Sequence, residues 1–397
     1  MRVAHVITRL ILGGAQENTI LNCQDLARDH GDEVVLITGP GLGPEGSLED
    51  DARARGIRLE IIPSLRRNIH PWHDAAAYRA IGRALSAFQP NVVHTHSGKA
   101  GLFGRAAARR RKVPAIVHTV HGAPFHSYQS AAARAFFRRC EIFAAARCHA
   151  MISVADAMTD QLVAAGVAPR DKFTTIYSGM DVESFLAADG ERDCVRRQLG
   201  YAPEDVVVGK AARLFHLKGH ADLVAAARSA CRENPRLKFL LVGDGILRPE
   251  IESQIAAAGL TDRFQFTGLV PPQRIAELLS ATDLVVHTSL REGLARVLPQ
   301  ALLVGRPVIS YDVDGAREVV RDNKTGFLVQ PGDVATLAAR IVQLSTSPEL
   351  RARLAAAGRE LCRTRFDHHE MTRQIRSLYE RTLAADRTFN NRKRGIN

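Results

Sequence analysis

Residues 289–320 read S-L-R-E-G-L-A-R-V-L-P-Q-A-L-L-V-G-R-P-V-I-S-Y-D-V-D-G-A-R-E-V-V. The segment just before, 283–288, reads as a buried strand, and it runs straight into a loop carrying Arg291, Glu292 and Gly293. An apolar helical stretch follows, then Gly305, then a second buried strand at 307–310. Strand, loop, helix and strand in this order make a βαβ unit of a parallel sheet. The order sets a carboxylate and a bare backbone turn at the carboxyl end of a strand, where open α/β sheets bind ligands. It also sets backbone N–H groups at a helix start, which suits phosphate or sugar oxygens.

The same alternation fills the rest of the chain. Strand candidates in the first half are 3–7, 34–37, 59–62, 92–95, 115–120 and 173–176. In the second half they are 206–211, 238–242, 264–267, 284–288, 308–310 and 327–329. Their apolar runs are continuous rather than alternating, as expected of strands covered on both faces. Ala/Leu-rich helical stretches separate them. The pattern occurs twice, which predicts two doubly wound, Rossmann-like α/β domains, and 397 residues exceed what one core usually holds. The expected boundary is the polar stretch 187–203, with Gly190, Gly200 and Pro203. That gives a first domain over 1–190 and a second over 195–369, with a last helix over 370–385 and a polar, basic, frayed end from 386.

No apolar run approaches the roughly 20 residues that span a bilayer. The start, M-R-V-A-H-V-I-T-R-L, reads as a buried strand rather than a signal peptide. Arg9 cuts its apolar run short and no small-residue cleavage site follows. The six cysteines are scattered without a C-x-x-C pair, which reads as free thiols of a cytoplasmic protein. The net charge of +12 is uneven: residues 65–150 hold fourteen Lys/Arg against two acids, Asp74 and Glu141, whereas 1–64 and 151–190 are acidic. A local positive field of this size calls for an anionic partner: lipid head groups, diphosphates or nucleic acid.

Four motifs could carry chemistry. Gly13 and Gly14, between the first strand and a helix, let the backbone approach a ligand and present N–H groups to phosphate. An ordinary tight turn uses the same pair. It is not G-x-G-x-x-G, which counts against a nicotinamide-dependent enzyme. V-V-H-T-H-S-G at 92–98 and I-V-H-T-V-H-G-A-P-F-H at 116–126 place His94, His96, His118, His121 and His126 near strand ends. As metal ligands they would want further closing groups. The sequence supplies no obvious set, so no metal and no cofactor are expected. Arg213 and Lys218, in A-R-L-F-H-L-K-G-H after the strand at 206–211, could clamp a diphosphate, Arg as a planar fork and Lys as a point charge.

These segments together resemble the retaining glycosyltransferases of family 4, which have the GT-B fold, over nearly the whole chain. The resemblance implies two Rossmann-like domains facing across a cleft, with the last helix crossing back onto the first. It implies that Glu292 holds hydroxyls of the transferred sugar, that backbone N–H groups around Gly293 and Leu294 meet the phosphates, and that Arg213 and Lys218 hold the diphosphate. The loop at Gly13 and Gly14 would meet donor diphosphate and acceptor. His121 matches the T-x-H-G loop that lines the sugar pocket. Thr267-Gly268-Leu269-Val270 matches the segment whose backbone holds the nucleobase. Tyr177 to Asp181 matches a hinge turn, and Val242-Gly243-Asp244-Gly245 a turn in which Asp244 would cap the next helix. The family places a second glutamate eight positions after the first; here that position is Gln300. Gln300 keeps an acceptor oxygen of similar reach for the donor ribose but loses the charge. Pro299 beside it removes a backbone donor.

The basic segment carries Arg105, Arg109 to Lys112, Arg134, Arg138, Arg139 and Arg147 around Phe136, Phe137, Ile142 and Phe143. Cations with aromatic residues on amphipathic helices suit an anionic membrane surface; a solvated basic face is the plainer reading. The expectation is a peripheral enzyme at the inner face of the membrane. It would move a hexose from a UDP- or GDP-sugar to a glycan or polyprenyl-diphosphate-linked acceptor in surface-polysaccharide synthesis. A nucleotide-sugar epimerase or hydrolase of the same fold is the rival. A nucleic-acid-binding protein is not expected, because no recognised module or aromatic stacking platform is present.

Overall fold

The computed structural model describes residues 1–394 except Pro44 and Ser97, with the backbone alone from 387 to 394. The chain divides into two compact units, Met1–Met180 with His368–Asn397, and Asp181–Asp367.

Unit 1 holds seven strands: Arg2–Arg9 (β1), Glu33–Gly39 (β2), Arg58–Ile61 (β3), Val92–His96 (β4), Ala115–Val120 (β5), Ala150–Ser153 (β6) and Phe173–Thr175 (β7). Their order is β3-β2-β1-β4-β5-β6-β7, and every pairing is parallel. Val3, Val6, Val92, Val93, Ile116 and Val117 are wholly buried, which is why these strands read as unbroken apolar runs. The helix His368–Arg394 belongs to this unit. Met371, Ile375, Leu378 and Tyr379 enter one core cluster with Val3, Leu26, Val92, Val117 and Ile152. Buried Asp25 anchors the helix start: His368 Nδ1 lies 2.7 Å from Asp25 Oδ2, and the Thr372 hydroxyl donates to it at 2.9 Å.

Unit 2 holds six strands: Val206–Ala211 (β8), Leu237–Val242 (β9), Phe264–Gly268 (β10), Leu284–His287 (β11), Val308–Tyr311 (β12) and Gly326–Val329 (β13). Their order is β10-β9-β8-β11-β12-β13, again with parallel pairings. Val208, Phe239, Leu241, Leu284, Val286, Ile309 and Phe327 lie in one core cluster. In each unit the order reverses beside the first strand, between β1 and β4 and between β8 and β11. Doubly wound sheets open a crevice at such switch points, outside the strands' carboxyl ends.

Three sequence expectations are corrected. The division falls at Met180/Asp181, not within 187–203. That polar stretch is folded into unit 2, because the helix Arg192–Gln198 uses its arginines as anchors. Arg192 donates to the Ser280 carbonyl at 3.0 Å and Arg196 to the Ala281 carbonyl at 3.2 Å, satisfying the open end of the helix Gln273–Ser280. The strand Ala150–Ser153 was not anticipated, since Ala150 and Met151 favour helix and only Ile152 of its residues is β-branched. The backbone of the last helix continues past Asp386 to Arg394, whereas the sequence reads as frayed there; 395–397 lie outside the described residues. All six cysteines are free. Among the described residues no helix is long and apolar enough to cross a membrane.

Candidate functional site

The unit 2 switch point gathers the charged side chains. After β8 the chain turns through 212–219 and enters the helix His220–Glu233; after β11 it turns through 288–296. The first turn closes on Gly219, with φ of 61°; a side chain there would press into the Thr288 carbonyl. The Thr288 hydroxyl donates back to the Gly219 carbonyl at 2.5 Å, and the Leu290 amide donates to the Leu217 carbonyl at 2.8 Å. These bonds lace the two turns together, and the lacing brings Lys218 to Glu292. Lys218 Nζ lies 2.5 Å from Glu292 Oε1, and His287 Nε2 lies 3.3 Å from the same oxygen. The Glu292 amide donates to Asp314 Oδ2 at 2.6 Å.

Electrostatics follow from that geometry. Burial alone would raise the Glu292 carboxyl. The Lys218 ammonium and the His287 contact outweigh it and hold Glu292 well below the usual carboxylate range. Burial lowers His287, although Glu292 favours its charged form. Burial raises Asp314, against the hydrogen bond it accepts from Glu292. The floor of the site is Lys210 on β8, 1% exposed. Its ammonium donates to the Lys218 carbonyl at 2.8 Å and the Thr288 hydroxyl at 2.7 Å. Burial, then the charge of Lys218, pushes Lys210 down to about 7. A fixed carboxylate beside a fixed ammonium offers acceptors for hydroxyls and a cation for phosphate oxygens.

The other unit 2 candidates take simpler places. Arg213 is exposed, with its guanidinium over the Phe215 ring at 5.2 Å, and its carbonyl lies 3.1 Å from His220 Nε2. Gly293 and Leu294 are buried in the 288–296 turn. Gln300 is buried on the helix Val297–Leu303. Pro299 is that helix's third residue, where the N–H would be unpaired in any case, so the proline costs no bond. Val270 packs its side chain against the cluster of Val195, Val207, Leu240 and Val242. Asp244 does not cap the next helix, whose N-cap is Leu247. It accepts from the Gly245 amide at 2.8 Å and pairs with Arg248 at 3.1 Å.

In unit 1, Gly13 caps the helix Gly14–Arg28 at the carboxyl end of β1, and both glycines are exposed. A side chain at Gly13 would meet the Gln16 amide oxygen at 2.8 Å. His121 follows β5, half-buried, its Nε2 3.1 Å from His96 Nδ1. His94 lies between the Tyr379 hydroxyl at 2.5 Å and the Thr119 hydroxyl at 2.7 Å, a structural position. His118 Nδ1 lies 2.8 Å from the Thr95 hydroxyl. Arg105, counted with the basic surface, is wholly buried and grips Glu141 at 2.8 and 3.1 Å, so neither residue contributes to that surface. Phe136 and Phe143 are exposed one heptad apart on the helix Ala131–Ala145.

Sequence reasoning passed over Lys210, His287, Asp314 and His5. A lysine inside the buried run V-V-V-G-K-A was a usable signal, since an unpaired charge there is costly. Single histidines in apolar strands read as core, and Asp314 gains meaning only through its contact with the Glu292 amide.

Known proteins resemble this chain across both units. The family model described as Glycosyl transferase 4-like domain matches residues 14–179, and that described as Glycosyl transferases group 1 matches 191–361. The chain is 30% identical over 371 residues to the 2-deoxystreptamine glucosyltransferase of Streptomyces kanamyceticus, covering 89% of this chain and 95% of that one. It is 28% identical over 348 residues to the Escherichia coli UDP-Gal:alpha-D-GlcNAc-diphosphoundecaprenol alpha-1,3-galactosyltransferase, covering 87% and 88%. Among solved structures it superposes on Anabaena Alr3699/HepE in complex with UDP and glucose. The TM-score is 0.83 at 24% identity, covering 96% of this chain and 99% of that one. At that identity the likeness is one of fold.

Proposed function

This chain belongs to the GT-B glycosyltransferases of the family 4 type, and from that membership we propose a specific reaction for it. It moves a hexose from a nucleotide diphosphate sugar, UDP-linked or GDP-linked, to a lipid-linked or glycan acceptor, with retention at the anomeric carbon, in cell-surface polysaccharide synthesis. The observation that carries the reading is the Lys218–Glu292 pair at the switch point of the unit 2 sheet.

Glu292 accepts hydrogen bonds from hydroxyls of the transferred sugar. Lys218 and Arg213 take the diphosphate, with the N–H groups around Gly293 and Leu294. Gln300 takes the ribose, and the backbone near Val270 the base. In unit 1, His121 and the loop at Gly13 and Gly14 bind substrate. In transfer, the bond from the anomeric carbon to the phosphate oxygen breaks as the acceptor oxygen bonds that carbon on the same face. The acceptor proton passes to the departing phosphate oxygen. Charge grows on the leaving diphosphate, and fixed cations stabilise that change. The scheme needs no metal and no other cofactor.

A UDP donor and a polyprenyl-diphosphate acceptor are supported by the name of the Escherichia coli relative. Exposed Phe136 and Phe143, beside Arg139, support docking to an anionic membrane surface at its inner face.

A thermal-shift panel with UDP, GDP, ADP and their hexose conjugates tests the donor. Stabilisation by one diphosphate series, lost in Arg213→Ala, is the expected result. A chain that no nucleotide stabilises would overturn the reading. Co-sedimentation with anionic vesicles at low salt tests the membrane surface, and equal binding to neutral vesicles counts against it.

A further inference from the structure

Unit 2 has a second charged cavity, of about 610 Å³. Its lining includes Asp283, just before β11, and Arg306, just before β12, so it sits at the amino ends of these strands. Lys218 and Glu292 lie beyond the carboxyl ends of β8 and β11. The three strands pair in parallel, so the two places are on opposite edges of the sheet.

Five arginines line the cavity: Arg192, Arg306, Arg351, Arg359 and Arg363. The last three are spaced eight and four residues apart on the helix Pro348–Arg365, which puts them on one face. The acids of the lining are Asp189, Asp283 and Glu360, so the cavity carries a net charge of two positive. Asp189 is shared: it accepts from Arg306 at 2.7 Å and from Arg359 at 3.2 Å. Asp283 is shared as well: it accepts from Arg192 at 2.7 Å, from buried Arg196 at 3.1 Å and from the Val207 amide at 2.8 Å. Glu360 is exposed. Arg351 Nη1 donates to the Leu344 carbonyl at 2.6 Å, but its Nη2 stands 4.0 Å from Asp283, beyond a hydrogen bond. Arg359 Nε is buried and the Arg363 side chain is exposed; among the described residues neither group has a hydrogen-bond partner. Burial pushes the Arg306 and Arg351 guanidiniums down, and the charge of Arg192 lowers both further. The site therefore holds more cation than its own carboxylates balance, with guanidinium donors to spare.

We infer that this cavity binds a small phosphate-bearing molecule, a phosphate ester or a diphosphate, at a place separate from the Lys218–Glu292 site. The inference does not depend on the reaction proposed above. Planar guanidinium forks match phosphate oxygens in pairs, and Arg351, Arg359 and Arg363 supply the spare donors. The volume lies within the roughly 300–1,000 Å³ of small-molecule sites. Leu186, Ala352, Ala355 and Ala356 give an apolar wall for the organic part. A bound anion ties together the helix Arg192–Gln198, the turn before β12 and the helix Pro348–Arg365.

The test is calorimetric titration of the full chain with pyrophosphate and with glucose 6-phosphate at constant ionic strength. Saturable binding of at least one is expected. In Arg363→Glu, its Kd should rise about tenfold or more. Arg359→Gln, which keeps a donor but loses the charge, serves as the second variant should Arg363→Glu fail to fold. Lys218→Ala should keep the wild-type Kd, because that change touches only the opposite edge of the sheet. Tighter binding of glucose 6-phosphate assigns the cavity to an ester, and of pyrophosphate to a diphosphate. Binding of neither probe would overturn the inference. So would a wild-type Kd in both arginine variants, or a Kd that rises in Lys218→Ala instead, which would place the probe in the other site. Capture by anionic vesicles that Arg363→Glu abolishes, with no binding of either probe, would make the cavity a membrane contact and overturn the small ligand.

Discussion

Lys218 Nζ and Glu292 Oε1 stand 2.5 Å apart, so the cation assigned to the donor's diphosphate and the carboxylate assigned to its sugar are one ion pair. The pair joins two turns that are 74 residues apart in sequence and adjacent only because β8 and β11 are neighbours. His287 and Asp314 brace the carboxylate and its backbone from the far side. Position, charge and orientation are therefore set by the sheet rather than by flexible side chains alone.

Glu292→Ala removes the sugar acceptor and leaves the phosphate cations in place. Transfer should fall by roughly 10²- to 10³-fold, the scale for losing one preorganised polar contact. The stabilising nucleotide should still raise the melting temperature. Loss of nucleotide binding along with transfer would mark Glu292 as structural.

Lys210 should leave a mark on the pH dependence of stability. Its folded value is about 7, against an unfolded value near 10.4. Below pH 7 both states bind the proton. Between about pH 7 and 10 the unfolded chain binds more, so stability rises with pH there. Urea unfolding at pH 7, 8 and 9 should show that rise, and Lys210→Met should flatten it. An unchanged slope in the variant would disprove the assignment.

Arg105 and Glu141 form a buried, two-bonded pair. Arg105→Met strands a carboxylate in the core and should cost about 3–5 kcal/mol. Arg105→Met with Glu141→Leu should recover most of that loss. A double variant as unstable as the single one would show that packing, not charge, sets the cost.

Gly219→Ala forces a side chain onto a left-handed residue and into the Thr288 carbonyl. Strain alone is about 1–2 kcal/mol, and relieving the clash must part the two turns. Melting temperature and nucleotide binding should fall together. Wild-type binding in a destabilised variant would separate the lacing of these turns from the site.

The sheets were legible in the sequence because strands buried on both faces write unbroken apolar runs. β6 was missed because Ala150 and Met151 favour helix and only Ile152 of its residues is β-branched. Glu292, Lys218 and Gly293 were legible because turns after strands carry distinctive residues at fixed spacing. Arg105 was misread as surface charge because its partner lies 36 residues away on another helix. The contacts of His96 with His5 and His121 were invisible for the same reason: they join β1, β4 and the turn after β5, which only the sheet order brings together. Asp244 was read as a helix cap from its place before a helix, but Arg248 competes for its carboxylate.

The composition of unit 1 also has a consequence for biosynthesis. Its core includes Met371, Ile375, Leu378 and Tyr379, and the Tyr379 hydroxyl meets His94. A ribosome makes Val3 and Val92 before Asp181–Asp367 and these partners after it. Chains generally fold domain by domain during synthesis. Here unit 1 cannot close until unit 2 has been made, and the nascent chain must carry an unfilled apolar groove while unit 2 is already able to fold.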